Sequence, residues 1–201
     1  MYKHFFKRLI DIVLSVLGIV ILAFPMLVLA LIVKIDSPGP VFFKQKRAAR
    51  GKRYFNIIKF RSMPVSAPKD TPTHQLKNAN AMLSRFQRFI RKSSLDELPQ
   101  LINVLRGDMS LVGPRPELAH FVEKFSSEIP DYEKRHLVKP GITGLAQIRG
   151  LRGDTSLSER TSEDLSYIER WSLWLDIKIL AMTPFRMLNK KEIYTKGEKK
   201  D

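Results

Sequence analysis

The hydrophobic pattern is lopsided. Ile12 to Val33 is a run of 22 residues without a formal charge. As a helix it would be about 33 Å long, at about 1.5 Å per residue, close to the roughly 30 Å of a bilayer's hydrocarbon core. Pro25 falls slightly past its middle, where a missing N–H tends to kink a helix. Lys3, Lys7 and Arg8 precede the run, and Lys34 and a basic stretch from Lys44 to Arg61 follow it. Cationic flanks favour the cytoplasmic side. If both ends obey that bias, the helix enters and returns on one side as a bent, re-entrant element. A straight transmembrane anchor is the main alternative. A core helix would be unusually apolar for so small a soluble protein, and no convincing small-x-small site follows the run to mark a cleaved signal peptide.

Past the turn Asp36-Ser-Pro-Gly-Pro40, the pattern shortens. Val41–Arg47 and Tyr54–Phe60 read as two strands of a hairpin around a basic loop, Ala48–Arg53, that contains Gly51. Its Lys and Arg residues suit edge-strand protection equally well. Residues 64–78 are polar, carry Pro64, Pro68 and Pro72, and read as a loop. Over 79–92, Met82, Leu83, Phe86, Phe89 and Ile90 share one helical face, with Arg85, Arg88, Arg91 and Lys92 opposite. Such a helix could lie in a membrane interface or simply be solvated on its charged side. Leu118–Ser127 suggests another helix. Trp171-Ser-Leu-Trp174 opens an apolar segment to Leu188, broken at Pro184, that suits a headgroup-level helix or core packing. The last dozen residues are polar and expected to fray. The fold class expected is α/β, mainly helical with a small β-hairpin. Residues 1–35 form the membrane helix, and residues 36–201 form a domain packed with it on the membrane face as one unit.

Composition narrows the chemistry. The 201 residues include no cysteine, which excludes disulfides, cysteine nucleophiles and cysteine metal sites. His4, His74, His120 and His136 show no paired ligand spacing. The net charge of +15 calls for nucleic acid, an anionic membrane surface or phosphorylated substrates as partner. Residues 1–100 hold 18 basic and 5 acidic side chains, so the excess lies beside the apolar helix. A membrane surface is therefore favoured over nucleic acid.

The densest polar constellation is Arg91-Lys-Ser-Ser-Leu-Asp-Glu-Leu-Pro-Gln100. Ser94 to Glu97 matches a capping box, and acids in a first turn suit the helix dipole. The alternative uses the adjacency of Asp96 and Glu97. One carboxylate can attack phosphorus to give an aspartyl phosphate while its neighbour holds Mg²⁺, which commonly takes only one or two carboxylates plus substrate phosphates. Arg115, between Pro114 and Pro116, has a narrow backbone choice and suits a two-bond phosphate grip or a surface ion pair. Lys139-Pro-Gly-Ile-Thr-Gly-Leu-Ala-Gln147 is a second loop stiffened by Gly and Pro, where Gly141 and Gly144 permit close backbone approach.

Together these stretches resemble the bacterial sugar transferases, the monotopic phosphoglycosyl transferases. The resemblance rests on Phe5–Ile12 with Lys7, Arg8 and Asp11, on Ser37–Gln45, and on Lys59-Phe-Arg-Ser-Met63. It continues through Arg91–Gly113, Gly113-Pro-Arg-Pro116 and Lys139–Gln147, all in family order over nearly the whole chain. The length resembles the small members that carry only the catalytic domain. The resemblance implies transfer of sugar-1-phosphate from a UDP-sugar to polyprenyl (undecaprenyl) phosphate, with release of UMP, as the first membrane step of a surface glycan or glycoprotein glycan. It implies Asp96 as nucleophile, Glu97 as the Mg²⁺ holder, and Lys59, Arg61, Arg91, Arg115 and Gln147 as phosphate or substrate contacts. It implies a helix bent at Phe24-Pro25, where small family members often have Ser before the proline. The expected setting is the cytoplasmic face of the bacterial inner membrane, with membrane lipids and a second copy of the chain as further partners. Two other classes stay open: a membrane-anchored basic binding protein, and a structural subunit in which Ser94–Glu97 is only a cap.

The charge pattern makes a topological prediction. In this cysteine-free chain, Lys3→Cys and Lys34→Cys are both labelled by a membrane-impermeant maleimide added from the cytoplasmic side of inverted vesicles. Labelling from opposite sides would sink the re-entrant arrangement.

Overall fold

The computed structural model describes residues 2–68, 71, 82–153 and 155–188. Most of the 64–78 loop, the start of the 79–92 segment and the last dozen residues lie outside them. The described chain is mostly helical, with two small sheets. Helix α1 (Tyr2–Asp36) runs into a hairpin of β1 (Phe42–Ala48) and β2 (Tyr54–Phe60), paired antiparallel from Phe42–Phe60 to Ala48–Tyr54. Then come α2 (Arg85–Lys92), α3 (Gln100–Arg106), β3 (Ser110–Val112), α4 (Val122–Glu128), β4 (Gly141–Thr143), α5 (Leu145–Ile148), α6 (Leu157–Glu169) and α7 (Leu173–Leu188). Strands β3 and β4 form a two-stranded parallel pair.

The hairpin is the one expected, and its tip uses left-handed backbone at Gly51 and Lys52. Helix α2 starts only at Arg85. Its capping box is made by Ser84 and Gln87, not by Ser94 and Glu97. Both prolines expected to interrupt helices, Pro25 and Pro184, lie inside continuous helical segments. Helix α6 and the β3–β4 pair carry little periodic signal and were not expected. Leu118–Ser127 is a short 3₁₀ turn, Ala119–Phe121, continued by α4.

The main core lies between the inner face of β2 and the layer of α3, β3, α5, α6 and α7. It includes Phe55, Ile57, Val104, Met109, Val112 and Ile179. Asn103, wholly buried, ties β2 to α3. Its Oδ1 accepts from Ile58 N (2.9 Å) and its Nδ2 donates to the Asn56 carbonyl (2.9 Å). A second cluster joins Val33 at the end of α1 to Phe60 and Ile90.

Both ends of α1 are fastened to this domain. Near its start, Lys7 pairs with Asp176 at 2.6 Å, Arg8 donates to the Val104 and Leu105 carbonyls, and buried Asp11 accepts from Ser110 Oγ and Leu111 N. Lys7 and Arg8, expected at a lipid surface, are thus inner fasteners. At its end, Arg61 donates to the carbonyls of Val33, Ser37 and Pro38, and Ser84 Oγ donates to Asp36. The middle is bare: Val20, Ile21 and Phe24 are 68%, 72% and 74% exposed. So long an apolar surface is costly in water and marks a membrane or a partner. By length and composition α1 can enter a bilayer.

One buried ion pair braces the far side. Arg135 meets Asp164 of α6 at 2.8 Å, with both side chains about 5% exposed. Asp164→Ala leaves an unpaired buried guanidinium and is expected to lower stability by about 3–5 kcal/mol, read by thermal unfolding. The apolar replacement Arg135→Met with Asp164→Leu should recover most of that loss.

Candidate active site

The site forms where the end of β2, a 3₁₀ turn and the Pro-Arg-Pro loop converge. After α2, Ser94 adopts left-handed backbone (φ 57°), an uncommon conformation for a serine, and its side chain caps nothing. The chain then enters the 3₁₀ turn Leu95–Glu97, with Glu97 N bonded to the Ser94 carbonyl at 3.0 Å. Pro99 is the N-cap of the following helix, where no amide hydrogen is needed. Asp96 and Glu97, adjacent in sequence, consequently face different partners.

Glu97 is clamped twice. Lys59 Nζ lies 2.8 Å from Oε1, and Arg115 donates to both carboxylate oxygens, at 2.6 and 3.3 Å. Asp96 is buried, and its Oδ2 accepts from Ser62 Oγ at 3.0 Å. Ser62 in turn accepts from Arg91 at 3.3 Å. Among the described residues no hydrogen bond reaches Asp96 Oδ1.

The two carboxyls are driven apart electrostatically. Burial alone would raise Glu97, but Arg115 and Lys59 hold it well below the usual carboxylate range. Burial pushes Asp96 up, and the neighbouring Glu97 charge adds to this, against the pull of Lys59 and Arg91. Burial also lowers Lys59, with Glu97 opposing. The result is one carboxyl held well below the usual carboxylate range and a neighbour pushed upward.

The loop that aims Arg115 is itself held by backbone. Gly113 N donates to the Thr143 carbonyl (2.9 Å) and Gly141 N to the Pro114 carbonyl (2.8 Å). A Cβ on Gly141 would sit 2.1 Å from Gly113 N, so the glycine is required for this approach. Arg47 donates to the Pro116 carbonyl and Arg135 to the Arg115 carbonyl, both at 3.1 Å. Burial pushes the Arg47 guanidinium down to about 10.

The structure therefore brings together Lys59, Arg91, Asp96, Glu97 and Arg115. It does not bring Arg61, whose guanidinium is occupied by carbonyls at the end of α1. Gln147 also turns away: it is buried in the short helix α5 and donates to the Ile142 carbonyl at 2.9 Å. Residues not singled out are Ser62, which contacts the nucleophile candidate, and Arg47 and Arg135, which brace the loop. Ser62 sits within the matched stretch Lys59–Met63, but its role depends on how β2 ends. Among the described residues no cluster of three or more His, Asp or Glu could enclose a metal. Two adjacent carboxylates with hard oxygens, Asp96 buried and Glu97 part-buried, fit the sparse protein ligation of Mg²⁺ beside a phosphate.

A sequence profile described as "Bacterial sugar transferase" matches residues 2–190. The chain belongs to the bacterial sugar transferase family. It is 47% identical, over 192 residues, to a UDP-glucose:undecaprenyl-phosphate glucose-1-phosphate transferase of Xanthomonas campestris pv. campestris, covering 94% of this chain and 40% of that relative. A Caulobacter vibrioides transferase of the same description is 42% identical over 193 residues, 94% of this chain and 72% of the relative. A UDP-N-acetylgalactosamine-undecaprenyl-phosphate N-acetylgalactosaminephosphotransferase of Aeromonas hydrophila is 43% identical over 181 residues, 89% and 43% of the two chains. The chain thus spans about two fifths of the length of the first and third of these sugar transferases.

The Ser62 contact predicts a pH effect. The hydroxyl favours the ionised Asp96, so Ser62→Ala moves the protonation midpoint of Asp96 to higher pH, while Ser62→Thr leaves it near wild type. The midpoint is read from the infrared carboxyl band that disappears in Asp96→Asn. An unmoved band in Ser62→Ala would mean that this hydrogen bond does not act on the carboxylate.

Proposed function

We propose that the protein transfers sugar-1-phosphate from a UDP-sugar to undecaprenyl phosphate through a covalent intermediate on Asp96. The observation that carries this reading is the split carboxylate pair, with Glu97 held ionised by two cations and Asp96 buried with an oxygen that no described residue hydrogen-bonds. The named activities of the relatives, which differ in sugar but agree on UDP and undecaprenyl phosphate, supply the substrate class.

Asp96 Oδ1 attacks the phosphorus that carries the sugar. The bond from that phosphorus to the bridging oxygen breaks, and UMP leaves with the electron pair. A phosphate oxygen of undecaprenyl phosphate then attacks the same phosphorus, and the Asp96 carboxylate departs to give the polyprenyl-diphospho-sugar. Ser62 and Arg91 orient Asp96 and offset its charge. Lys59 and Arg115 neutralise the diphosphate as the bridge breaks, a role that costs no reorganisation because Glu97 already holds them in place. Glu97 would hold Mg²⁺, which when bound supplies further charge neutralisation on the phosphoryl oxygens.

The setting supports a membrane acceptor. The two fastened ends of α1 lie on one domain while its apolar middle stands bare, which suits a helix that dips into one leaflet and returns. In this reading the domain sits at the cytoplasmic face of the inner membrane, with lipids around α1.

The test uses the full chain in detergent with UDP-[¹⁴C]sugars. Denaturation before acceptor is added should trap label on the protein, and each competent donor should release UMP. Asp96→Asn should abolish trapping and reduce turnover by about 10³-fold or more. Chelating divalent cations should stop UMP release. A near wild-type rate in Asp96→Asn is the outcome that defeats the nucleophile assignment.

A further inference from the structure

A second cationic feature lies away from the carboxylates. Between α5, α6 and α7 is an open cavity of about 420 Å³, within the size range of small-ligand sites. Its floor is apolar, with Ile148, Leu175 and Met182, and its wall includes Trp174. Four cations line it: Arg149, Arg170, Lys178 and Arg186. Arg149 is paired with Glu163. No described carboxylate forms an ion pair with Arg170, Lys178 or Arg186. Ser166 and Ser172 add hydroxyls at the rim.

The cavity opens beside an apolar stripe. Trp174, Ile177, Ala181 and Phe185 follow helical spacing along one side of α7, and Trp174, Ile177 and Phe185 are 74%, 52% and 71% exposed. This stripe adjoins the anchor, because Asp176 in the first turn of α7 is the residue that Lys7 of α1 grips. Phe5, Phe6 and Leu9, on either side of Lys7 in α1, are exposed as well.

We propose that this cavity is a binding site for the headgroup of an anionic bilayer phospholipid, separate from the Asp96 site, with the acyl chains lying along the Trp174–Phe185 stripe. The commitment to a phospholipid follows from the pairing of features. A soluble anion would need the cations but not the stripe, and a neutral lipid would need the stripe but not three cations without carboxylate partners. A cluster of Arg and Lys beside an apolar wall is what a phosphodiester with attached chains complements. The inference rests on the membrane-associated reading of α1 but not on the reaction assigned to Asp96.

The experiment is a titration of the full chain in a non-ionic detergent, without UDP-sugar, read by tryptophan fluorescence. The probes are dioctanoyl phosphatidylglycerol, dioctanoyl phosphatidylcholine, inorganic phosphate and farnesyl phosphate. Phosphatidylglycerol is expected to saturate and to bind about tenfold or more tightly than the other three, with the signal lost in Trp174→Phe. Arg170→Gln with Lys178→Gln should weaken it by about tenfold or more, at roughly a few-fold for each charge removed near an anionic lipid. Ser166→Asp, which places a carboxylate one turn from Arg170, should do the same through a different side chain. Lys124→Gln with Lys134→Gln should leave binding unchanged, and Asp96→Asn should bind phosphatidylglycerol like wild type. Equal affinity for phosphatidylcholine, or unchanged affinity in both pocket variants, overturns the proposal. Inorganic phosphate or farnesyl phosphate binding as tightly as phosphatidylglycerol also overturns it, reassigning the cavity to a free anion or to the isoprenoid acceptor. Failure of the transfer reaction with this binding intact would count only against the catalytic reading.

Discussion

Two neighbouring carboxylates cannot be buried as bare charges. Each would lose its hydration and repel the other, and the usual outcome is protonation of one or both. Here Lys59 and Arg115 close on Glu97 from two different elements, and that clamp keeps one carboxylate charged in a dry setting. The neighbouring Asp96 is then raised by burial and by the charge beside it, yet remains supported by Ser62 and Arg91. Much of the surrounding architecture serves to hold the four cationic and hydroxyl groups at these distances. Asn103 fixes the strand that carries Lys59. The β3–β4 backbone pair, Arg47 and Arg135 fix the loop that carries Arg115.

The anchor is integrated with the same machinery. Arg8 meets the last carbonyls of α3, the helix that follows the Asp-Glu turn, and Arg61, just past the end of β2 and next to Ser62, ties the end of α1 to that strand. A helix fastened at both ends to the domain, with an apolar middle, cannot lie far from the Asp-Glu turn. That coupling ties the apolar surface of α1 to the cluster of buried charges within one small domain. It also changes the meaning of the +15 charge. Lys7, Arg8 and Arg61 are internal fasteners, Lys59, Arg91 and Arg115 face the carboxylates, and α7 contributes cations beside an exposed apolar stripe.

The legible elements were those with strong local signals. The 22-residue uncharged run announced α1, alternating residues around Gly51 announced the hairpin, and the Phe86–Ile90 spacing announced α2. Asp96, Glu97, Lys59, Arg91 and Arg115 were all visible as candidates. What the sequence did not show is where side chains turn. Arg61, just past β2, donates to carbonyls at the end of α1, and Gln147, in α5, donates to the Ile142 carbonyl, so neither meets the carboxylate cluster. Ser94 and Glu97 have capping-box spacing, yet a left-handed Ser94 prevents the cap, while the real box at Ser84 and Gln87 went unnoticed.

The chain by itself determined which groups are available: an apolar helix of bilayer length, a tandem of carboxylates, and enough cations to neutralise a diphosphate. Those are properties of composition and short-range order, where hydrophobic spacing and charge act directly. Tertiary structure decided which cations meet which carboxylate, because contacts such as Arg115 with Glu97 or Lys7 with Asp176 join residues whose separation in sequence says nothing of their distance. It also decided that the pKa values of Asp96 and Glu97, alike in charge and adjacent in the chain, are pushed in opposite directions. Burial and opposite charge shift a carboxylate according to what surrounds it in space, and only the folded chain supplies those surroundings.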